Sequence, residues 1–281
     1  MNRFAIPIAG MLAVLAMAPG PQAPPQSAVV LNRMLSSYRS LQSFKETVTI
    51  KRKIGEKDMP GTLTIVAQKP NKYLMELKGE GLNTTVVSDG TTLVATRSDR
   101  KVFTRTKAPA QLIKTDILAG AETPSLGAKI VTALLSANIR EGELGNLLVN
   151  AKVTGPQGFG SKLAYVLTFP YGDDLEAKVY VTSDDYLVRQ VKLLRDGAPE
   201  MTENHDNIEL DQPVAPDAFA KTSTEGFRMV SVLPPPLDPV SVASGDWGNA
   251  PDFTLEKASG GALRLSSLKG KVILLNFYFN H

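Results

Sequence analysis

The stretch TTVVSDGTTLVATRSDRKVFTR, Thr84 to Arg105, decides the reading of the fold. It divides into three short strand-like runs. Asp89-Gly90 and Ser98-Asp99 break them where turns are expected. Strand, turn and strand at this spacing suit a meandering antiparallel sheet.

Working upstream, the same period of two continues. KETVTIKRKI puts Val48 and Ile50 on one face, against Thr47, Thr49 and Lys51. GTLTIVAQKP has Leu63 and Ile65 on one face. YLMEL has Tyr73, Met75 and Leu77 on one face, with Glu76 and Lys78 on the other. Before these strands, VVLNRMLSSYRSLQSF changes period. Leu31, Met34, Leu35, Tyr38 and Leu41 fall at helical spacing and make a one-sided helix that must lie on something.

Downstream, helical spacing returns in APAQLIKTDILAG and SLGAKIVTALLSANI, the second with a stripe of Leu126, Ile130, Leu134 and Ala137. Strands then resume in LAYVLTF, EAKVYVT, YLVRQVKLL and MTENHDNIEL, with Asp184-Asp185 as a hairpin turn. The glycine-rich GPQGFG, Gly155 to Gly160, leads from no strand into a helix and reads as a hairpin loop. The order of helix, strands, two helices and strands predicts an α+β fold: an open antiparallel β-barrel with helices on its concave face. The space between sheet and helices is expected to be apolar and to suit acyl chains or other greasy ligands. Leu63, Ile65, Tyr73, Met75 and Leu77 either line such a cavity or form plain core.

The bulk composition excludes several function classes. Basic and acidic residues nearly cancel, 31 against 28, so no basic field points to nucleic acid. The chain has no cysteine, which removes disulfides, thiolate metal sites and cysteine nucleophiles. Its two histidines, His205 and His281, leave almost no material for a multi-histidine metal site or a serine–histidine triad. Glu203, His205 and Asn207 share a strand face, which reads as a strand face rather than a metal site. No catalytic, cofactor-binding or metal-binding residue is assigned, and no cofactor is expected.

Residues 1–26, MNRFAIPIAGMLAVLAMAPGPQAPPQ, read as a secretory signal peptide with a polar, proline-rich end. The apolar run is short for a membrane span. The mature protein is therefore expected in the periplasm or cell envelope. VLPPPLDPVSVASGDWG, with four prolines, reads as an extended linker. The boundaries are a first domain at 27–232, a linker at 233–247 and a last segment at 248–281.

Two resemblances follow from these motifs. VVSDGTTLVAT, AQKPNKYLMEL, KVYVTSDDYLVRQVKL and VAPDAFAKTSTEGF resemble, in order, stretches of the LolA-like periplasmic lipoprotein carriers. The resemblance implies an unclosed β-barrel that shelters lipid tails, and as partners a lipid or an acylated protein in the barrel. Where the carriers have an arginine before the proline this chain has Lys69, which lacks the forked contacts of a guanidinium. The last segment carries Ala250-Pro251-Asp252-Phe253, then Leu265 and Leu268-Lys269-Gly270-Lys271, then the apolar VILLNFYF. This resembles the opening of the thioredoxin-like redoxins, a group that includes AhpC/TSA peroxiredoxins and thiol–disulfide reductases. Pro251, Asp252, Phe253, Lys269, Gly270 and Lys271 are its structural motif here. The resemblance implies the first strands of an incomplete α/β thioredoxin-like fold, cut before its catalytic cysteines. A full-length form would then be an exported thiol–disulfide oxidoreductase with an envelope redox partner, and this chain would be inert. The alternative is a LolA-like binding module for lipid, acylated protein or an envelope partner.

Val272, Ile273, Leu274, Leu275 and Phe277 would each gain about 1.5–3 kcal/mol from full burial, which one hairpin and one strand cannot provide on both faces. The 1–281 chain is therefore expected to aggregate more than one ending near Val232, measured by light scattering. Equal solubility of the two would mean that the strand docks on the first domain.

Overall fold

The computed structural model describes residues 26–54, 57–80, 83–112, 125–136, 139, 142–172, 174–220, 223–234, 254–256 and 261–268. The chain divides into two units, Met1–Pro236 and Leu237–His281.

In the first unit, helix α1 (Ser27–Ser40) leads into six strands: β1 (Ser43–Ile54), β2 (Lys57–Gln68), β3 (Lys72–Gly79), β4 (Thr84–Asp89), β5 (Thr92–Arg97) and β6 (Val102–Lys107). Helices α2 (Leu126–Leu135) and α3 (Glu143–Val149) follow. The second run of strands is β7 (Lys152–Phe159), β8 (Lys162–Tyr171), β9 (Leu175–Thr182), β10 (Val188–Arg195) and β11 (Ala198–Leu210), with a two-residue β12 (Arg228–Met229) after them. All twelve strands join one sheet in the order β12-β6-β5-β4-β3-β2-β1-β11-β10-β9-β8-β7. The two meanders are sealed in the middle by the antiparallel pair β1–β11. The outer members β12 and β7 are not neighbours, so the sheet stays open. Only β12 is parallel to its partner, β6.

Period-two patterning decides which face is covered. Leu63 pairs with Leu77, Ile65 with Met75 and Ala67 with Tyr73 across β2 and β3, so these side chains share a face. They are buried in one core cluster with Val30, Leu31, Met34, Leu35 and Tyr38 of α1 and Leu126, Ile130 and Leu134 of α2. Helices of 14, 10 and 7 residues are too short to be stable alone in water. Burial of their apolar stripes on the sheet supplies what propensity cannot, at about 1.5–3 kcal/mol per large side chain. Helix α2 also starts on a side-chain cap, the Ser125 hydroxyl accepting the Ala128 N–H at 2.9 Å.

Two of the motifs that resemble the carriers meet in space. The Asn71 amide donates to the carbonyls of Gly90 and Pro109, each at 2.9 Å. The Ser88 hydroxyl donates back to the Asn71 carbonyl at 2.7 Å. Asp89 accepts the N–H groups of Thr91 and Thr92, both at 2.7 Å. Gly90 sits at φ +95°, where a side chain would be strained. Lys69 donates to the Arg39 carbonyl at the end of α1, at 2.6 Å. The Lys-Pro-Asn and Ser-Asp-Gly turns are thus two halves of one clasp. Beside it, Lys69 ties the end of β2 to the end of α1 with a single donor.

Several expectations change. The tract APAQLIKTDILAG is not helical from Ala108 to Gln111, and 113–120 lies outside the described residues. The stripe residues Leu126, Ile130 and Leu134 are fully buried, while Ala137 is outside the described residues. Helix α3 was not foreseen; its seven residues are too few to show a period. Gly155 to Phe159 is strand rather than hairpin loop, and the register with β8 shifts between Thr154 and Gln157. The glycine and proline there mark a bulge, and the turn begins only at Gly160.

In the second unit the described residues form a small antiparallel hairpin, β13 (Thr254–Glu256) and β14 (Ala262–Arg264), then a 3-10 turn at Leu265–Leu268. Pro251, Asp252, Phe253, Lys269, Gly270, Lys271 and the apolar strand lie outside the described residues. So do residues 1–25 and most of the linker. Leu233, at its start, is buried in the core of the first unit.

Asn71→Ala removes two hydrogen bonds to part-buried carbonyls. At about 1 kcal/mol each, it is expected to lower unfolding free energy by about 2 kcal/mol in urea denaturation, with the slope unchanged.

Candidate functional site

Two features of the helix-covered side could carry function. The first is a cleft of about 620 Å³, lined by Lys129 of α2, Glu143, Leu144 and Leu147 of α3, and Pro170 to Gly172 at the end of β8. Lys129 donates to the Tyr171 hydroxyl at 3.2 Å and stands 5.9 Å from the ring centre. The cation is thereby held beside Leu144, Leu147 and Pro170, with Glu143 in the same lining. The volume is that of an ordinary small-ligand site.

Leu63, Ile65, Tyr73, Met75 and Leu77 are placed elsewhere. Their exposures are 0% or 1%, all within the core under the helices, and none lines the cleft. Tyr73 is fixed by a 2.6 Å hydrogen bond between its hydroxyl and that of Thr132 on α2. A gap of about 20 Å³ at the end of α1, near Tyr38, Phe44 and Lys69, is of the order of one water.

The second feature is ionic. Glu46 on β1 and Glu203 and His205 on β11 are buried, at 0%, 0% and 1% exposure. His205 Nδ1 lies 3.0 Å from Glu46 Oε2. Its Nε2 stands 3.9 Å from Glu203 Oε2, too long for a hydrogen bond but close in electrostatic terms. Glu203 Oε2 accepts the Gly127 N–H at 2.7 Å. Its charge therefore sits at the amino end of α2, where the helix dipole favours an anion. Among the described residues, Glu46 Oε1, Glu203 Oε1 and His205 Nε2 have no hydrogen-bond partner.

Burial alone would drive the proton off His205. The Glu46 carboxylate, and Glu203 beyond it, outweigh that and push its pKa up to about 9. The ring is thus an imidazolium at neutral pH, with both N–H groups facing carboxylates. Burial, and then the Glu46 charge, hold the Tyr38 phenol well above its usual value. The carboxylates lie on opposite edges of the ring and do not converge on one point. Among the described residues no group of three His, Cys, Asp or Glu side chains could hold a metal ion.

Asn207, expected on the same face, leaves it. The β1–β11 register shifts between Lys45 and Thr47, and Asn207 takes φ +49°. This bulge turns Asn207 to solvent while His205 stays inside. Glu46 went unassigned in the sequence. The signal was there: Phe44, Glu46, Val48 and Ile50 share one phase, and a carboxylate among three apolar residues marks a buried charge.

Gly127 is packed against this group. A Cβ there would overlap Glu203 Oε2 and stand 2.5 Å from His205 Nε2. In an exposed helix, glycine to alanine gains about 1 kcal/mol. Here Gly127→Ala is expected to destabilise, with a lower thermal midpoint than the parent. An unchanged or higher midpoint would show that the group has room to move.

No curated protein matches the sequence significantly. Among solved structures, the chain is similar to an uncharacterized conserved protein from Thermus thermophilus, at 10% identity and TM-score 0.46. That alignment covers 73% of this chain and 99% of the other. It is also similar to the MucA/MucB complex of Pseudomonas aeruginosa, at 15% identity and TM-score 0.42, covering 85% and 74%. A third similarity is to a LolA superfamily protein from Nitrosomonas europaea, at 10% identity and TM-score 0.31, covering 70% and 98%. No helix among the described residues is long and apolar enough to cross a membrane. Residues 27–233 match the family model described as Predicted periplasmic protein (DUF2092), and the chain belongs to that family.

Proposed function

We propose that the first domain is a periplasmic binding module for an amphiphile, either a lipid or the acyl chain of an envelope protein. The observation that carries this reading is the cleft between α2, α3 and β8. Its Leu144, Leu147 and Pro170 side chains offer an apolar wall, and Lys129 offers one held cation. That division suits a ligand with a greasy tail and a polar or anionic head. The sequence resemblance to the lipoprotein carriers supports the same class of ligand. Leu63, Ile65, Tyr73, Met75 and Leu77 would then act as the packed floor beneath the helices, and a tail reaching them would have to part α2 from the sheet.

The thiol–disulfide reading rests on the resemblance of residues 248–281 alone. This chain has no cysteine and itself supplies no thiolate for that chemistry.

The test is titration of the full chain with a fluorescent fatty acid, alongside mass spectrometry of co-purifying lipid. Leu147→Asp is expected to weaken binding at least tenfold, and Lys129→Gln to weaken an anionic probe more than its methyl ester. Saturable binding unaffected by either substitution would place the ligand elsewhere. No binding, and no bound lipid, would remove the amphiphile reading.

A further inference from the structure

We propose that Glu46, His205 and Glu203 form a proton-held latch that keeps the amino end of α2 on the sheet, and that loss of the imidazolium proton releases this helix.

The latch has three side chains on two strands, and they hold a third element, α2. Glu203 on β11 grips α2 through the Gly127 N–H at 2.7 Å. His205, two residues on, lies between Glu203 at 3.9 Å and Glu46 of β1 at 3.0 Å. The glycine at 127 lets the helix end close onto both side chains. With the ring charged, two buried carboxylates share one counter-charge. With the ring neutral, the Nε2 lone pair faces Glu203, and both carboxylates lack a cation in a site closed to water. A charge in that position must be hydrated, and the movable element touching it is the helix end. In the releasing step, Nε2–H gives its proton to hydroxide, forming water. The Nδ1 proton stays toward Glu46.

Among the described residues, the elements packed on the group add no substitute charge. From α1 the group facing Glu46 is the Tyr38 phenol, which burial and Glu46 hold neutral well above its ordinary range. From β2, Ile65 pairs with Glu46. From β10, Val191 pairs with Glu203. Helix α2 contributes the Gly127 backbone N–H. Arg189 and Asp185 act on Tyr38 rather than on the ring.

The folded ring binds its proton more tightly than an unfolded histidine, whose pKa is about 6.5. The latch is therefore fully set below that value and is lost as pH rises through about 9. Because α2 also carries Lys129, release would move one wall of the cleft. The latch can be tested without any ligand, whatever occupies that cleft.

The experiment is NMR on the ligand-free full chain carrying His281→Gln, which leaves His205 as the one imidazole. Its ring nitrogens are followed from pH 6 to 11 while amide protection is measured in α2 and, as control, in β3. The expected result is a doubly protonated ring at pH 7.5. It should lose one proton near pH 9, with protection across Ile130–Leu134 falling at least tenfold over the same interval while Leu74–Leu77 holds. Glu46→Gln should move both transitions to lower pH together. A neutral ring at pH 7 would overturn the latch. So would α2 protection that ignores the ring's titration, or an equal loss in β3, which would mean global unfolding.

Discussion

A wide sheet with one apolar face must be covered, and the rest of the first unit answers to that constraint. Twelve strands present more surface than one helix can shield. The helices that do the shielding are short, and their stability comes from what they bury. Their placement therefore depends on contacts that fix them at single points: Ser125 capping α2, Tyr73 bonded to Thr132, and Glu203 holding Gly127. The last differs in kind, because it sets ionised groups into the core. A buried ion group of this sort adds little net stability, yet removing one partner is costly because it leaves a buried charge uncompensated. It ties the middle of the sheet to one end of one helix.

The strands were legible because their signal is local. Leu63 and Leu77 are flanked by polar residues, Ile65 and Met75 fall in phase with them, and that phase puts all four on one face. The turns were legible because Asp89-Gly90 and Asp184-Asp185 carry their own chemistry in their side chains. Helix α3 was not, because ELGNLLV spans only two turns and its glycine blurs the stripe. Gly155 and Pro156 misled for a related reason. The residues that end a strand are also those that kink one, and only pairing with β8 separates the two cases.

The site was less legible than the fold. Glu203 and His205 were visible as neighbours on one face, yet their meaning depends on Glu46, brought to them by strand pairing across the whole domain. Asn207 looked equivalent to them by parity, and a bulge removed it. No period-two rule anticipates such a bulge. The cleft was invisible for a third reason. It is built from three unrelated places, Lys129, the Leu144–Leu147 turn and the end of β8, which no local pattern joins.

The pairing of β1 with β11 also governs when the domain can fold. Glu46 and His205 are 159 positions apart, and β1 has one edge unpaired until β11 has arrived. Neither meander can complete its core alone, so assembly waits on nearly the entire length of the domain, the slow regime for sheets with distant partners. For a polypeptide that crosses a membrane as a thread before it folds, this delay is useful. Until β11 arrives, β1 is held by β2 alone, and the middle of the sheet stays unfinished until the far end of the domain is available.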